Sequence, residues 1–359
     1  MIKYIGSKRR LVPVLSDLFA RAGATTALDL FTGTTRVAQA FKHAGGHVTA
    51  VDSARYSEVF ARTWIELDAN AITPAQRGEL DEALAELDAL PGVAGYVTDT
   101  FCVRSRFFQP HNGERIDAIR EAIASDHAGT WREPVLLTAL LLAADRVDST
   151  TGVQMAYVKE WAPRAHRPLA LRRPELLGGG GRAVRGDAVA LAGALGRVDL
   201  AYLDPPYNQH RYFTNYHVWE TLVAWDRPEH YGVACKRVDA REPDTKSVFN
   251  RKREMPAALA ATIAAVDADV LVVSYNDESW VSLTDLLAMC ATHPSAEQVV
   301  ALAFDSKRYV GAQIGIYNPA GERVGEVGRT RNLEYVVVAG PAGPVAEMTA
   351  PYAAAIVAG

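Results

Sequence analysis

The 359-residue chain has little cysteine, no long apolar run and little excess charge, and each shortage closes off a class of protein. Its three cysteines, Cys102, Cys235 and Cys290, stand neither in disulfide-like pairs nor at metal-ligand spacing. They read as small buried hydrophobes in a reducing compartment, and no metal site is expected. The longest apolar stretch, Pro134 to Ala144, stops at Asp145-Arg146 and is too short to cross a bilayer. No signal peptide precedes Lys3, so the expectation is a soluble cytoplasmic protein with no membrane partner. A net charge of -4 does not advertise a nucleic-acid binder. Local balance says more. Lys159, Arg164, Arg167, Arg172, Arg173, Arg182 and Arg185 face only Glu160 and Glu175 over that stretch, and Arg251-Lys252-Arg253 form a second basic set. Such runs are either solvated faces or surfaces that grip phosphates.

There are no internal repeats, and the length suits one large domain with an insertion. Ala27 to Phe31 is an apolar strand ending in Thr32-Gly33-Thr34-Thr35. A helix from Arg36 to Ala44 follows, stopped by Gly45-Gly46, and His47 to Val51 is a second strand ending at Asp52. This βαβ unit is the signature of a Rossmann-like α/β sheet. From about Tyr56 to Leu177 the pattern is helical (Gln76 to Leu90, Gly113 to Ser125, Trp131 to Val147), and Gly178 to Gly181 hinge back into the sheet. Strands are expected at Arg182 to Val184, Val198 to Leu203 and Ala268 to Ser274. Gln298 to Phe304 and Leu333 to Ala339 would finish the sheet as an antiparallel pair. The expected layout is therefore an α/β catalytic domain from 1–55 and 180–340, a mainly helical insertion at 56–179 and a loose tail at 341–359. The polar stretch Asp226 to Met255 reads as a long loop.

Asp204-Pro205-Pro206-Tyr207 closes the apolar run Val198 to Leu203. An exocyclic amino nitrogen of adenine or cytosine is a poor nucleophile, because its lone pair is delocalised into the ring. A carboxylate (Asp204) and a backbone carbonyl (Pro205) accepting its two hydrogens would localise that pair, with Pro206 fixing the backbone. Tyr207 offers a flat face for an extruded base. The other reading is a proline turn with a solvated Asp. Gly33 sits where an α/β sheet binds nucleotides and permits close backbone approach. Asp52, about 23 residues after Asp29, is placed to accept both ribose hydroxyls of an adenosine. No second phosphate-cradling glycine set and no Lys-Ser/Thr follow Gly33, so a cofactor with adenosine and no phosphates fits better: S-adenosyl-L-methionine.

The order Lys3-Tyr4-Ile5-Gly6-Ser7-Lys8, Asp29 to Thr34, Val51-Asp52, a long insertion and then Asp204 to Tyr207 resembles the alpha-class, Dam-like DNA adenine methyltransferases. The resemblance continues through Glu220 and includes Val273 to Asn276 and Lys307-Arg308-Tyr309. It implies that Tyr4 and Lys8 close over the methionine end of the cofactor, that Phe31 and Gly33 line its pocket and that Asp52 holds the ribose. Asp187 would contact the adenine, or serve as an ordinary turn residue. Asp204 would sit between cofactor and base, with Tyr207 stacking on the base. Thr35 stands where the family often has a second glycine. Tyr212 and Asn215 are expected to touch DNA or the flipped base. The helical insertion would recognise the target, and the Arg164 to Arg185 cluster with Arg251, Lys252 and Arg253 would grip phosphates. The activity implied is transfer of methyl to the N6 amino group of a flipped adenine in a specific duplex sequence. The partners implied are double-stranded DNA and, for some members, a restriction endonuclease, with the protein working on the nucleoid. A cytosine-N4 enzyme and a non-catalytic DNA-binding partner with the same fold are the alternatives.

Overall fold

The computed structural model describes residues 2–158, 160–207, 209–307, 316–317, 323–325 and 331–358; Arg308 and Tyr309 lie outside them. The described residues form two compact units. The second comprises residues 13–31, 188–210 and 248–359, and the first comprises 1–12, 32–187 and 211–247. This division differs from the expected layout. The Thr32 to Thr35 turn and the strand ending at Asp52 group with the helical insertion, because the insertion's helices pack on that strand's neighbours rather than standing apart.

In chain order the elements begin with α1 (Val12–Arg21), β1 (Thr26–Asp29), α2 (Arg36–His43), β2 (His47–Asp52) and α3 (Arg55–Ala61). The insertion contributes α4 (Pro74–Ala89), α5 (Pro110–Asp126) and α6 (Glu133–Val147). A side-chain capping box between Thr73 and Gln76 starts α4, and Pro74 fits its first turn, where no N–H partner is needed. In α6 the residues from Pro134 to Leu141 are buried without a break, which makes it the insertion's core helix. β3 (Gly181–Arg185) then pairs parallel with β2, from Val48 opposite Gly181 to Asp52 opposite Arg185. Gly181 has to be glycine, since a Cβ there would lie 2.7 Å from the Ile65 carbonyl and 2.8 Å from that of Val48. The first unit closes with α8 (Tyr212–Asn215), α9 (His217–Ala224) and the short hairpin of β5 (His230–Tyr231) and β6 (Lys236–Arg237). The stretch expected as a long loop is indeed mostly irregular, holding this hairpin and short 3-10 turns before Met255. Its anchor is the buried Arg237 guanidinium, bound to Asp226 and Asp239.

The second unit holds α7 (Ala188–Leu191), β4 (Val198–Leu203), α10 (Met255–Ala265), β7 (Ala268–Asn276), α11 (Leu283–Ala291) and β8 (Gln298–Lys307). After them come β9 (Ile316–Tyr317) paired with β10 (Arg323–Gly325), then β11 (Arg331–Gly340), α12 (Ala342–Thr349) and β12 (Ile356–Val357). Its sheet runs β12-β8-β11-β7-β4-β1. β1, β4 and β7 are parallel, while β11, β8 and β12 join antiparallel. The fold is α/β with a parallel core and antiparallel C-terminal strands. β7 reads as an almost unbroken apolar run because both of its faces are covered.

The segment expected as a loose tail is instead structured. Val345 and Met348 of α12 are fully buried, Tyr352 donates to Asp17 Oδ2 at 2.9 Å, and β12 covers the edge of β8. Its Ala, Gly and Pro content hid an apolar pair at helical spacing. No helix among the described residues is long and apolar enough to cross a membrane.

Ending the chain at Gly340 should destabilise the protein by about 3 kcal/mol or more, since burying each large apolar side chain is worth roughly 1.5–3 kcal/mol. It should also expose the β8 edge to pairing between molecules. Urea unfolding and light scattering of the truncated chain check both effects.

Candidate active site

In the second unit β4 is central, with Leu200 opposite Ala27 of β1 and Leu203 opposite Val273 of β7. Its last four residues are buried. The Tyr202 hydroxyl donates to Ser274 Oγ at 2.9 Å, and its carbonyl accepts from Leu30 N–H at 3.1 Å, so the strand end is fixed on both sides. The chain leaves the sheet at half-buried Asp204 and buried Pro205. Neither Pro205 nor Pro206 has an N–H, so the ladder cannot continue and the peptide is held stiff. Tyr207 is half-buried, its ring set edge-to-face on Tyr275 with centroids 5.7 Å apart. Burial pushes the Tyr275 phenol up to about 12, so it stays neutral. Phe31 meets Phe249 edge-on at 5.1 Å. Asn250 Nδ2 donates to the His210 carbonyl at 3.0 Å, tying the turn before the basic set to the loop after Tyr207. Arg251, Lys252 and Arg253 are exposed, with Arg251 paired to Glu254 at 2.9 Å.

In the first unit the turn after β1 is built around Asp52. Its Oδ2 accepts Gly33 N–H at 2.8 Å and its Oδ1 accepts Ala54 N–H at 2.9 Å. Asp52 is half-buried as a residue, but its carboxyl group lies deep enough that desolvation raises its pKa above the ordinary aspartate value. The N–H groups of Ala54, Gly33 and Ser53 oppose that rise. Gly33 has φ +50, and a Cβ there would lie 3.2 Å from the Tyr4 ring. Thr35 is left-handed too, at φ 61 and ψ 16, so the turn keeps its tightness without a second glycine.

The Tyr4 ring stacks on Tyr216 (4.7 Å) and Tyr212 (5.3 Å), and its hydroxyl lies 3.3 Å from that of Tyr56. Burial raises both the Tyr4 and Tyr56 phenols well above the usual tyrosine range. The segment carrying Tyr4 is pinned at Lys3, whose Nζ meets Asp145 at 2.9 Å and Asp148 at 3.2 Å. Lys8 is buried in the helical turn Lys8–Arg10. Asp187 is exposed, one residue past Gly186, whose N–H donates to the Asp52 carbonyl at 3.0 Å. Tyr212 is half-buried within the tyrosine stack, and Asn215 is buried, its carbonyl accepting from Gln154 N–H at 2.7 Å. Several members of the first basic cluster are engaged within the fold: Arg164 with Asp148 (2.6 Å), Arg173 with Asp81 (2.8 Å) and Arg185 with Glu58 (3.4 Å).

Sequence reasoning missed Tyr56, Tyr216 and Glu220. The Glu220 carboxylate is buried on α9, and its Oε1 accepts Arg55 N–H at 2.8 Å. Among the described residues no group of three acidic, His or Cys side chains could hold a metal ion.

An Asp-Pro-Pro-Tyr peptide at a parallel strand end, and a carboxylate behind a glycine turn, are the features expected of an enzyme that transfers a group to a nucleobase amine. Comparison with known proteins carries this further. The family model for D12 class N6 adenine-specific DNA methyltransferases matches residues 4–289. A type II methyltransferase of Neisseria lactamica, M.NlaIII, is 30% identical over 302 residues, covering 79% of this chain and 85% of that protein. The type II methyltransferase M.CviAII of Paramecium bursaria Chlorella virus 1 is 28% identical over 83% of this chain and 90% of its own length. The modification methylase StsI of Streptococcus sanguinis is 27% identical, but the match spans 45% of that longer protein. The chain belongs to the D12 class N6 adenine-specific DNA methyltransferase family. It is an enzyme that methylates adenine in DNA at specific sites, and the cytosine and non-catalytic alternatives are set aside.

Burial raises the Glu220 pKa from 4.5 to about 7, against the opposing pull of the Tyr56 and Arg55 N–H groups. A carboxyl whose folded pKa is raised contributes most below its unfolded pKa, and that contribution fades as pH rises through the folded value. Glu220→Gln does not titrate. Stability of the wild type relative to Glu220→Gln should therefore fall between pH 4.5 and about 7, as read by urea unfolding across that window.

Proposed function

We propose that the methyl donor is S-adenosyl-L-methionine, held by Tyr4, Lys8, Phe31, Gly33, Asp52 and Asp187, and that Asp204 activates the adenine amine. Two features of the first unit support the fit. A Cβ at Gly33 would lie 3.2 Å from the Tyr4 ring, so the missing side chain lets that ring close on the turn that carries Asp52's backbone donor. Backbone N–H groups already orient the Asp52 carboxylate, and its remaining acceptor capacity suits a ribose hydroxyl. A phosphate brought there would meet a buried negative charge, which favours a nucleoside lacking phosphates.

The bound donor would supply an electrophilic methyl group on a sulfonium. The chain's own residues would prepare the amine. Asp204 accepts one amino hydrogen and the Pro205 carbonyl the other, drawing the nitrogen lone pair out of the ring. Tyr207 provides the stacking face, steadied by Tyr275. The proton is released after the nitrogen has become cationic, so Asp204 need not be a strong base. The observation that carries this reading is the Asp-Pro-Pro-Tyr peptide, stiffened at the end of a strand pinned on both sides.

For DNA we assign the phosphate grip to Arg251, Lys252 and Arg253, and the surroundings of the extruded base to Tyr212 and Asn215. Relatives named type II methyltransferases and modification methylases support a restriction endonuclease of the same specificity as partner. Duplex DNA as substrate puts the work on the nucleoid, in the cytoplasm.

A pair of variants tests the reading. Asp204→Ala should cut methyl transfer ~100-fold or more, the usual effect of losing a group that acts in the transition state, while cofactor and DNA still bind. Asp52→Ala should instead weaken S-adenosylmethionine binding by roughly 10- to 100-fold, the worth of a charged hydrogen bond, and leave DNA affinity intact. Calorimetric titration, and mapping of the methylated base in digested plasmid, read both. Near-normal turnover in Asp204→Ala removes that residue from the chemistry.

Neutralising Arg251, Lys252 and Arg253 together should weaken cognate and random duplexes by similar factors. It should also flatten the salt dependence, by a slope of about one for each phosphate no longer neutralised. Loss of discrimination instead would show that this segment reads bases.

A further inference from the structure

We propose that Glu220 is a positioning residue for the methyl-donor pocket, and that α9 is the element through which the insertion sets that pocket. The helix α3 begins three residues after Asp52, and its N-cap position is occupied by Ala54, which has no side-chain acceptor. The missing cap comes from 165 residues away. Glu220 Oε1 accepts Arg55 N–H at 2.8 Å, with Tyr56 N–H at 3.5 Å from the same oxygen.

This cap reaches both Asp52 and Tyr4. Ala54, next to Arg55, donates its N–H to Asp52 Oδ1, so a shift of the helix start turns the carboxylate. Tyr56 carries the hydroxyl that meets Tyr4, so the same shift moves the ring lying over Gly33.

α9 is in turn held at both ends by insertion side chains. At its start Gln154 Oε1 accepts Val218 N–H at 2.9 Å and Trp219 N–H at 3.4 Å. At its end the buried Arg120 guanidinium donates to the carbonyls of Leu222 (2.6 Å) and Val223 (3.1 Å). Three long-range caps therefore join the insertion, α9 and the Asp52 turn. Each satisfies helix-end groups that no local residue satisfies.

The inference rests on the reading of this pocket as the S-adenosylmethionine site. In Glu220→Ala, S-adenosylmethionine should bind about tenfold more weakly, the usual scale for a lost cap, with DNA affinity unchanged. Glu220→Gln keeps an acceptor oxygen and should restore binding. Arg55→Pro removes the capped N–H while leaving Glu220 in place, and proline is tolerated at a first helical position, so this variant carries the test if Glu220→Ala does not fold. Amide exchange at residues 53–57 of the cofactor-free protein should quicken in Glu220→Ala and Arg55→Pro. Wild-type cofactor affinity in both of these variants overturns the proposal. Equal losses of cofactor and DNA affinity also overturn it, because they mark general damage. If the wild-type protein itself fails to bind S-adenosylmethionine, the cofactor reading falls, while the exchange measurement still tests the cap.

Discussion

A carboxylate that must lie partly out of water and yet face one way has to be held by donors that cannot rotate. Gly33 and Ala54 supply such donors to Asp52, one to each oxygen, and both belong to the backbone. Much of the surrounding structure follows from keeping them there. Gly33 takes a positive φ to aim its N–H, and the absence of a Cβ lets Tyr4 close on the turn. Ala54 is carried by the start of α3, which has no cap of its own. The segment carrying Tyr4 is held by Lys3 on its two aspartates and by the Ile5 N–H, which donates to the Tyr216 hydroxyl at 2.7 Å.

The turn also stores strain. A β-branched residue in the left-handed region costs roughly 1–2 kcal/mol, and such a conformation persists only where its surroundings over-determine it. At Thr35 they do. Its N–H donates to the Thr32 carbonyl at 2.7 Å, its hydroxyl accepts from Gln39 Nε2 at 2.8 Å, and the side chain is fully buried. Glycine at this position would relax the backbone but lose the Gln39 bond and the packing, so threonine is a workable substitute for the family's glycine.

These particulars explain what could be read from the residues. The strands carrying Asp52 and Asp204 are set by local patterns, an apolar run closed by a turn residue, and the observed β2 and β4 end where those patterns end. The antiparallel finish was legible for the same reason. Glu220, Gln154 and Arg120 were not, because a side chain capping a helix 60 to 165 residues away leaves no local signal. Phe213, Tyr216 and Trp219 share a helical spacing that reads as core. Tyr216 is indeed buried, yet it also lies against Tyr4, and its spacing offers nothing that separates the two roles. Composition misled at the tail, where small residues concealed Val345 and Met348, and in 226–247, where polarity concealed a buried arginine.

Charge is the least legible property, and the reason is energetic. A basic run counts equally in the sequence whether its members face solvent, phosphate or a carboxylate of the fold. Arg237 is nearly fully buried between two aspartates, and removing it would leave those charges uncompensated, so it is committed to the fold. Arg164 is similarly committed to Asp148, which also receives Lys3. Exposed pairs such as Arg251 with Glu254 are different, since a surface ion pair is worth at most about 1 kcal/mol and yields readily to a phosphate. Cations that can exchange partners at low cost therefore lie beyond Asn250, in the same unit as Asp204. They also lie in the longer arginine run, where Arg167, Arg172 and Arg182 are exposed and Arg173 pairs with Asp81 as openly as Arg251 does with Glu254. For an enzyme of net charge -4, attraction to DNA has to come from such local, loosely held cations, because the chain as a whole offers none.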